Sequence, residues 1–155
     1  MRALIQRVKN ASVEIDGVVN GQIGQGLVVL LGVAPEDDVE IGAYLADRCA
    51  GLRIFEDENG KMNRSLIDVG GAMLVISQFT LFADTTQGRR PYFGNAADPV
   101  LAEKLYEEFK KSAAGLVPVE CGRFAADMQV KLCNDGPVTI MLEAKKGANG
   151  KVSLI

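Results

Sequence analysis

Five consecutive apolar residues, Ala72-Met73-Leu74-Val75-Ile76, run directly into Ser77-Gln78-Phe79-Thr80-Leu81-Phe82, and this junction constrains the chain more than any other feature. The stretch, which runs on to Asp84, opens on the glycine pair Gly70-Gly71. An apolar run that short reads as a strand buried on both faces. Its end is unusual, because Ser77, Gln78 and Thr80 set three hydrogen-bonding side chains inside a core element. Burying any of them unpaired costs about 1–3 kcal/mol. Either neighbouring backbone satisfies them, or they line a pocket whose ligand does.

Upstream, Arg2–Lys9 and Ser12–Ile15 read as strands joined at Asn10-Ala11, and Asp16-Gly17 as a hairpin turn. Val18–Ile23 and the apolar Leu27–Val33 complete an expected antiparallel meander. Gly24 and Gly26 are turn glycines rather than a phosphate loop, since neither a helix nor a Lys-Ser/Thr pair follows. Ala34 to Asp38 has the acids and proline of a helix start, and Ile41, Tyr44, Leu45, Ala46, Cys49 and Leu52 recur at helical spacing. Leu52–Phe55 predicts a short strand. Glu56 to Gly60 is a polar turn whose spacing does not fit a calcium loop.

Downstream of the central run, Thr85–Asp98 is a polar loop carrying Arg89-Arg90-Pro91-Tyr92-Phe93. Two arginines beside two aromatics suit phosphate and base contacts, or equally a surface loop pinned by its aromatics. Asp98-Pro99 caps a second helix with the stripe Leu101, Leu105, Phe109 and Ala113, and Gly115 follows as its C′ residue. Leu116–Glu120 is a strand that Pro118 assigns to an edge. Asp127–Cys133 alternates, Asn134-Asp135-Gly136-Pro137 interrupts, and Val138–Leu142 is the last strand. Glu143–Ile155 reads as a loose tail. The expected fold is one α/β domain over residues 1–143, with a C-terminal tail over 144–155. Antiparallel and mixed strands curl into a barrel-like layer, and two helices pack on it.

Composition narrows the chemistry. The 155 residues suit one domain, with 48% apolar and 24% charged residues. No apolar run approaches the length of a membrane span. Met1–Lys9 is a charged strand rather than a signal peptide, so a cytoplasmic protein is expected. Cys49, Cys121 and Cys133 are widely spaced and odd in number, which argues for free thiols. There is no histidine, which removes Ser-His-Asp and Cys-His activation and histidine metal sites. No metal and no cofactor are expected. A net charge of −3 disfavours broad duplex-DNA binding but permits a few local arginines to grip one nucleic-acid end.

Gly136-Pro137 is either a hairpin turn or a place where carbonyls approach a ligand without an intervening side chain, the X-Pro bond permitting a cis peptide. Ser77-Gln78-Phe79-Thr80-Leu81 together with Asn134-Asp135-Gly136-Pro137-Val138-Thr139 resembles the motif pair of the D-aminoacyl-tRNA deacylases. Leu4-Ile5-Gln6-Arg7-Val8, Gly60-Lys61-Met62-Asn63 and Gly122-Arg123-Phe124-Ala125-Ala126-Asp127-Met128 match in order along the chain, from Met1 to about Leu142. The resemblance implies hydrolysis of the ester joining a D-amino acid, or glycine, to the 3′-terminal adenosine of tRNA. It also implies a homodimer, with tRNA as the partner and neither membrane nor DNA involved. Ser77, Gln78, Phe79 and Thr80 would form the catalytic pocket. Gly136-Pro137, in the cis form, would enter from the other subunit and exclude L side chains sterically. Phe124 and Met128 match pocket-lining positions, and Arg7 a position that orients the Gly-Pro carbonyls.

Thr80 and Ser77 are nucleophile candidates without an imidazole to activate them. The economical alternative is assistance by the 2′-hydroxyl of the terminal ribose, with backbone N–H groups near Phe79 and Thr80 stabilising the oxyanion. Other readings are a tRNA 3′-end or nucleotide-binding module without turnover, and a relative with a trans Gly-Pro bond that rejects other mischarging.

Overall fold

A 14-residue strand, β1 (Arg2–Ile15), is the spine of the sheet in the computed structural model, which describes residues 1–155. Along one side, β1 pairs first with β3 (Gly26–Gly32) and then with β2 (Val18–Ile23), both antiparallel. Along the other side it pairs with β8 (Gln129–Lys146) for nearly its whole length. The expected junction at Asn10-Ala11 is therefore interior to one strand. The expected meander is instead one long bent hairpin, whose second arm is β2 followed by β3. The bend is physical: pairing with β8 slips between Val8 and Asn10, and such irregularities sharpen strand twist. Before the slip, Ala3 and Ile5 point into one core. After it, Ala11 and Val13 join Val8 in a second, smaller one.

The central apolar run forms β6 (Ala72–Ser77), parallel to β3, and β7 (Val119–Cys121) adds in parallel at the edge, just after Pro118. Met73 to Ile76 are all buried, as the sequence predicts. With β9 spanning Val152–Leu154, the order is β7-β6-β3-β1-β8-β9, and β2 pairs beside β1. The terminal strands β7 and β9 do not pair, so the sheet curls without closing, and the barrel-like expectation is corrected to an open mixed sheet. The loose tail is corrected as well. β8 runs on to Lys146, and β9 (Val152–Leu154) folds back antiparallel onto Ala144–Lys146.

Helices α1 (Val39–Gly51) and α2 (Pro99–Ala114) cover one face of the sheet. Asp38 caps α1 by accepting from the Ile41 N–H, and Asp98 caps α2 by accepting from Val100 and Leu101, with Pro99 first in the helix. Gly115, expected at C′, is instead the C-cap residue of α2, in a right-handed conformation. Leu45, Cys49, Leu105, Tyr106 and Phe109 enter the main core against Leu27, Val29, Met73 and Val75, each large apolar side chain contributing about 1.5–3 kcal/mol. Burial pushes the Cys49 thiol up to about 12, so it is an inert packing group. The short strand expected at Leu52–Phe55 is displaced to β4 (Phe55–Glu56), which pairs with β5 (Met62–Arg64). In the turn between them, the Asp57 carboxylate accepts from the Asn59 and Lys61 N–H groups and so is used locally.

Gly26 is the tightest point of the sheet. A Cβ there would stand 1.9 Å from the Ala72 carbonyl oxygen, on the strand that carries the central run. Gly26→Ala is expected to cost about 3 kcal/mol, because backbone cannot yield as a flexible side chain would. A urea melt showing an unchanged midpoint would contradict this.

Candidate active site

At its end β6 is forced to turn. The Gln78 N–H makes the last rung with the Leu31 carbonyl at 2.7 Å, and the chain then winds into a 3₁₀ turn over Phe79–Phe82. Phe82 is buried and anchors the turn against Gly32. The Arg2 guanidinium lies 4.5 Å from the Phe82 ring centroid and donates to the Leu81 carbonyl at 2.8 Å. Held from below in this way, the turn presents Phe79 and Thr80 to solvent. Its first N–H groups have no acceptor within the turn, and no side chain caps it. Gln78 Nε2 donates to Thr80 Oγ1 at 2.5 Å.

Ser77, Gln78 and Phe79 form one wall of a cavity of about 640 Å³. Phe124, Met128 and Val130 form the opposite wall, and α2 contributes Ala102 and Tyr106. Tyr106 ties the walls together: its hydroxyl donates to the Val75 carbonyl at 2.9 Å and lies 3.4 Å from the Gly122 carbonyl. Ala125 takes a left-handed conformation at φ 58°, turning the segment so that the Phe124 ring lies 6.1 Å from that of Tyr106. Phe93 closes over the rim, edge-on to Phe79 at 5.1 Å.

The electrostatics of this cavity are sparse. No Asp, Glu, Lys, Arg or Cys lines it. Burial raises the phenol of Tyr106, and its proton is already committed to a carbonyl. Anything done to a ligand here is done by hydroxyl, amide and backbone groups, or by the ligand itself.

The other predicted site residues lie apart. Gly136 and Pro137 are exposed where β8 kinks, and the peptide bond between them is cis. Gly136 has φ 131°, a conformation suited to glycine. Arg7, only 5% exposed, braces the kink by donating to the Asp135 carbonyl at 3.0 Å and the Ile54 carbonyl at 2.5 Å. The Asn134 side chain accepts from the Val138 N–H and completes the bracket. Arg7 and Asp135 border a second, polar cavity of about 300 Å³. Within one chain, then, Ser77, Gln78, Phe79, Phe124 and Met128 share a cavity. Thr80 is attached to it through Gln78, while Arg7, Gly136 and Pro137 stand outside it.

Tyr106 and Phe93 line the cavity, and sequence reasoning did not single them out as cavity residues. Tyr106 sits one residue off the stripe chosen for α2. The series Ala102, Tyr106, Phe109, Ala113 has helical spacing too and carries the signal.

An uncharged cavity at the end of a central strand, on a curled mixed sheet with two helices on one face, defines a small α/β protein with a site for an apolar or aromatic ligand. The sequence profile described as D-Tyr-tRNA(Tyr) deacylase matches residues 4–143. The chain belongs to that family. It is 54% identical over 147 residues to a D-aminoacyl-tRNA deacylase of Thermosipho africanus (strain TCF52B), covering 94% of this chain and 99% of the relative. A D-aminoacyl-tRNA deacylase of Fervidobacterium nodosum (strain ATCC 35602 / DSM 5306 / Rt17-B1) matches to the same extent. Among solved structures, the c-Myc DNA Unwinding Element Binding Protein superposes with a TM-score of 0.89 at 38% identity, covering 94% of this chain and 99% of the other. A structure described as "a probable eukaryotic D-amino acid tRNA deacylase" superposes at 0.77 with 16% identity, covering 90% and 97%, and shares the fold.

Proposed function

We propose that this protein hydrolyses the ester of D-aminoacyl-tRNA, releasing the free D-amino acid and tRNA. The full-length likeness to curated D-aminoacyl-tRNA deacylases at 54% identity carries the reading. The cavity supports it, since about 640 Å³ falls in the range that takes a small ligand, and aromatic and thioether side chains suit an adenine. Ester hydrolysis is also a reaction that a cavity without an ionisable base can accelerate, because the substrate brings its own 2′-hydroxyl. The unpaired N–H groups at the start of the 3₁₀ turn are suited to the developing oxyanion, typically worth about 3 kcal/mol per donor.

The chiral filter is the finer part of the proposal. Gly136-Pro137 stands exposed, outside its own cavity, on a kink held rigid by a buried arginine. In a homodimer the motif of one subunit would enter the cavity of the other. There its carbonyls would hold the substrate amino group and leave no room for an L side chain. Glycine, which lacks a side chain, would be accepted as well.

The test is a time course with matched D-tyrosyl-tRNA and L-tyrosyl-tRNA at low enzyme concentration. Loss of the D ester with the L ester spared is the expected result. Binding of tRNA without cleavage of either would leave a binding module, and cleavage of both would remove Gly136-Pro137 as the filter.

A further inference from the structure

The loop between the 3₁₀ turn and α2 takes no part in the chemistry above, yet its anchorage relates it to the cavity. Asp84 and Tyr92 exchange both backbone hydrogen bonds at 2.8 Å and close a hairpin over residues 85–91. The Asp84 carboxylate is occupied at this base, accepting from the Thr86 N–H at 2.9 Å and the Thr86 hydroxyl at 2.7 Å. Gly88, at φ 132°, turns the tip. Arg89 and Arg90 follow, both exposed and neither within salt-bridge distance of a carboxylate. Immediately past the base, Phe93 lines the cavity rim and packs on Phe79. Arg90 is two residues from Tyr92, so its backbone stands within about 7 Å of the base. A pair of unneutralised guanidinium groups therefore sits beside the mouth of a cavity that has no charge of its own, on a protein of net charge −3.

We propose that Arg89 and Arg90 bind backbone phosphates of the unpaired RNA strand just before its 3′-terminal adenosine, while Tyr92 offers a stacking face to a base of that strand. The inference rests on the deacylase reading and deepens it: the cavity performs the chemistry and the hairpin holds the strand in register. Arginine suits the role because its fork of donors matches phosphate oxygens. Tyr92, 62% exposed, has the open aromatic face that stacking needs.

Two readouts test it. The first is retention of uncharged tRNA on filters across a salt series. Each single-strand phosphate neutralised contributes about 0.7 to the slope of log affinity against log salt, so Arg89→Ala/Arg90→Ala is expected to flatten it by about 1.4. The second is steady-state hydrolysis of D-tyrosyl-tRNA, where the same variant raises KM and leaves kcat in place. Hydrolysis of D-tyrosyl-adenosine, which has no phosphate, does not distinguish variant from wild type. A charge-matched control, Arg48→Ala/Lys104→Ala on the outer helix faces, changes none of these. An unchanged slope and KM overturn the proposal. So does an equal loss in the control, which makes the effect one of net charge, or an equal loss on D-tyrosyl-adenosine, which makes it one of cavity shape. If the wild type cleaves no D ester, the deacylase reading falls, and the salt slope with uncharged tRNA still decides the arginines.

Discussion

D-aminoacyl-tRNA whose terminal ribose lacks the 2′-hydroxyl is expected to be hydrolysed at least about 100-fold more slowly than the natural substrate, the lower end of what general acid–base assistance supplies. Thr80→Ala, by contrast, is expected to stay within about fivefold of wild type, the loss of one exposed hydrogen bond. The asymmetry follows from the cavity lining. No carboxylate, lysine, arginine or thiol is present there, and the chain has no histidine. The Thr80 hydroxyl accepts from Gln78 Nε2, a neutral amide that does not take up a proton. A nucleophilic threonine without a base would gain nothing from its position. The backbone N–H groups of Phe79 and Thr80 survive the Thr80→Ala change, so the proposed oxyanion contacts would survive with them. Single-turnover rates on the two substrates and the two enzymes make the comparison. Equal rates with and without the 2′-hydroxyl, or abolition of turnover by Thr80→Ala with tRNA affinity intact, would return the chemistry to the protein side chain.

Arg7→Ala is expected to lower stability by about 3 kcal/mol and to weaken discrimination between D and L esters together. The guanidinium is buried between Ile54 and Asp135, and its removal strands two carbonyl acceptors, each costing about 1–3 kcal/mol when left unpaired. It also lies 3.7 Å from the Asp135 carboxylate, which would lose a counter-charge. Because the Asp135 carbonyl directly precedes Gly136-Pro137, the loosened kink is the proposed filter itself. Arg7→Lys keeps the charge but lacks the planar fork that reaches both carbonyls, and should recover only part of either effect. Urea midpoints measure the first consequence, and the ratio of D to L hydrolysis the second. A destabilised variant with full chiral discrimination would separate Arg7 from the filter and leave it a packing residue.

What could be read in the chain beforehand divides along physical lines. The helices were legible because their signals are local. Asp98-Pro99 caps and starts α2, the acids and apolar spacing after Ala34 announce α1, and the observed bounds follow from them. The central strand was legible because a run from Ala72 to Ile76 has no other economical place than between two neighbours. Pairing was not legible. Nothing local in Val18–Ile23 or Leu27–Val33 says that both pair with one strand rather than with each other, since register depends on partners distant in sequence. The C-terminal strand is not legible for a similar reason, because Val152–Leu154 pairs only with the edge that β8 offers it. Asp37 looked like one more acid at a helix start. In the fold it is buried, accepting from the Met1 ammonium at 2.6 Å and the Ala34 N–H at 2.6 Å. Burial pushes its carboxyl up while those partners pull it down.

The site divides in the same way. Sequence alone singled out the residues of the proposed site: polar groups at the end of a core run and a Gly-Pro pair in a strand draw notice by their local cost, and the resemblance of both motifs to the deacylases supplied their expected roles. It also determined, by the absence of histidine, that the mechanism cannot rest on an imidazole. Only the tertiary structure decided that Ser77, Gln78, Phe124 and Met128 face one another across a cavity without a charge, and that Gly136-Pro137 stands outside it on a brace built by Arg7. The reason is that both facts are set by long-range packing. Tyr106 ties β6 to the Gly122 turn, and β8 kinks where its register with β1 slips. Such contacts arise when strands far apart in sequence settle against a common core, and no short stretch of the chain encodes them by itself.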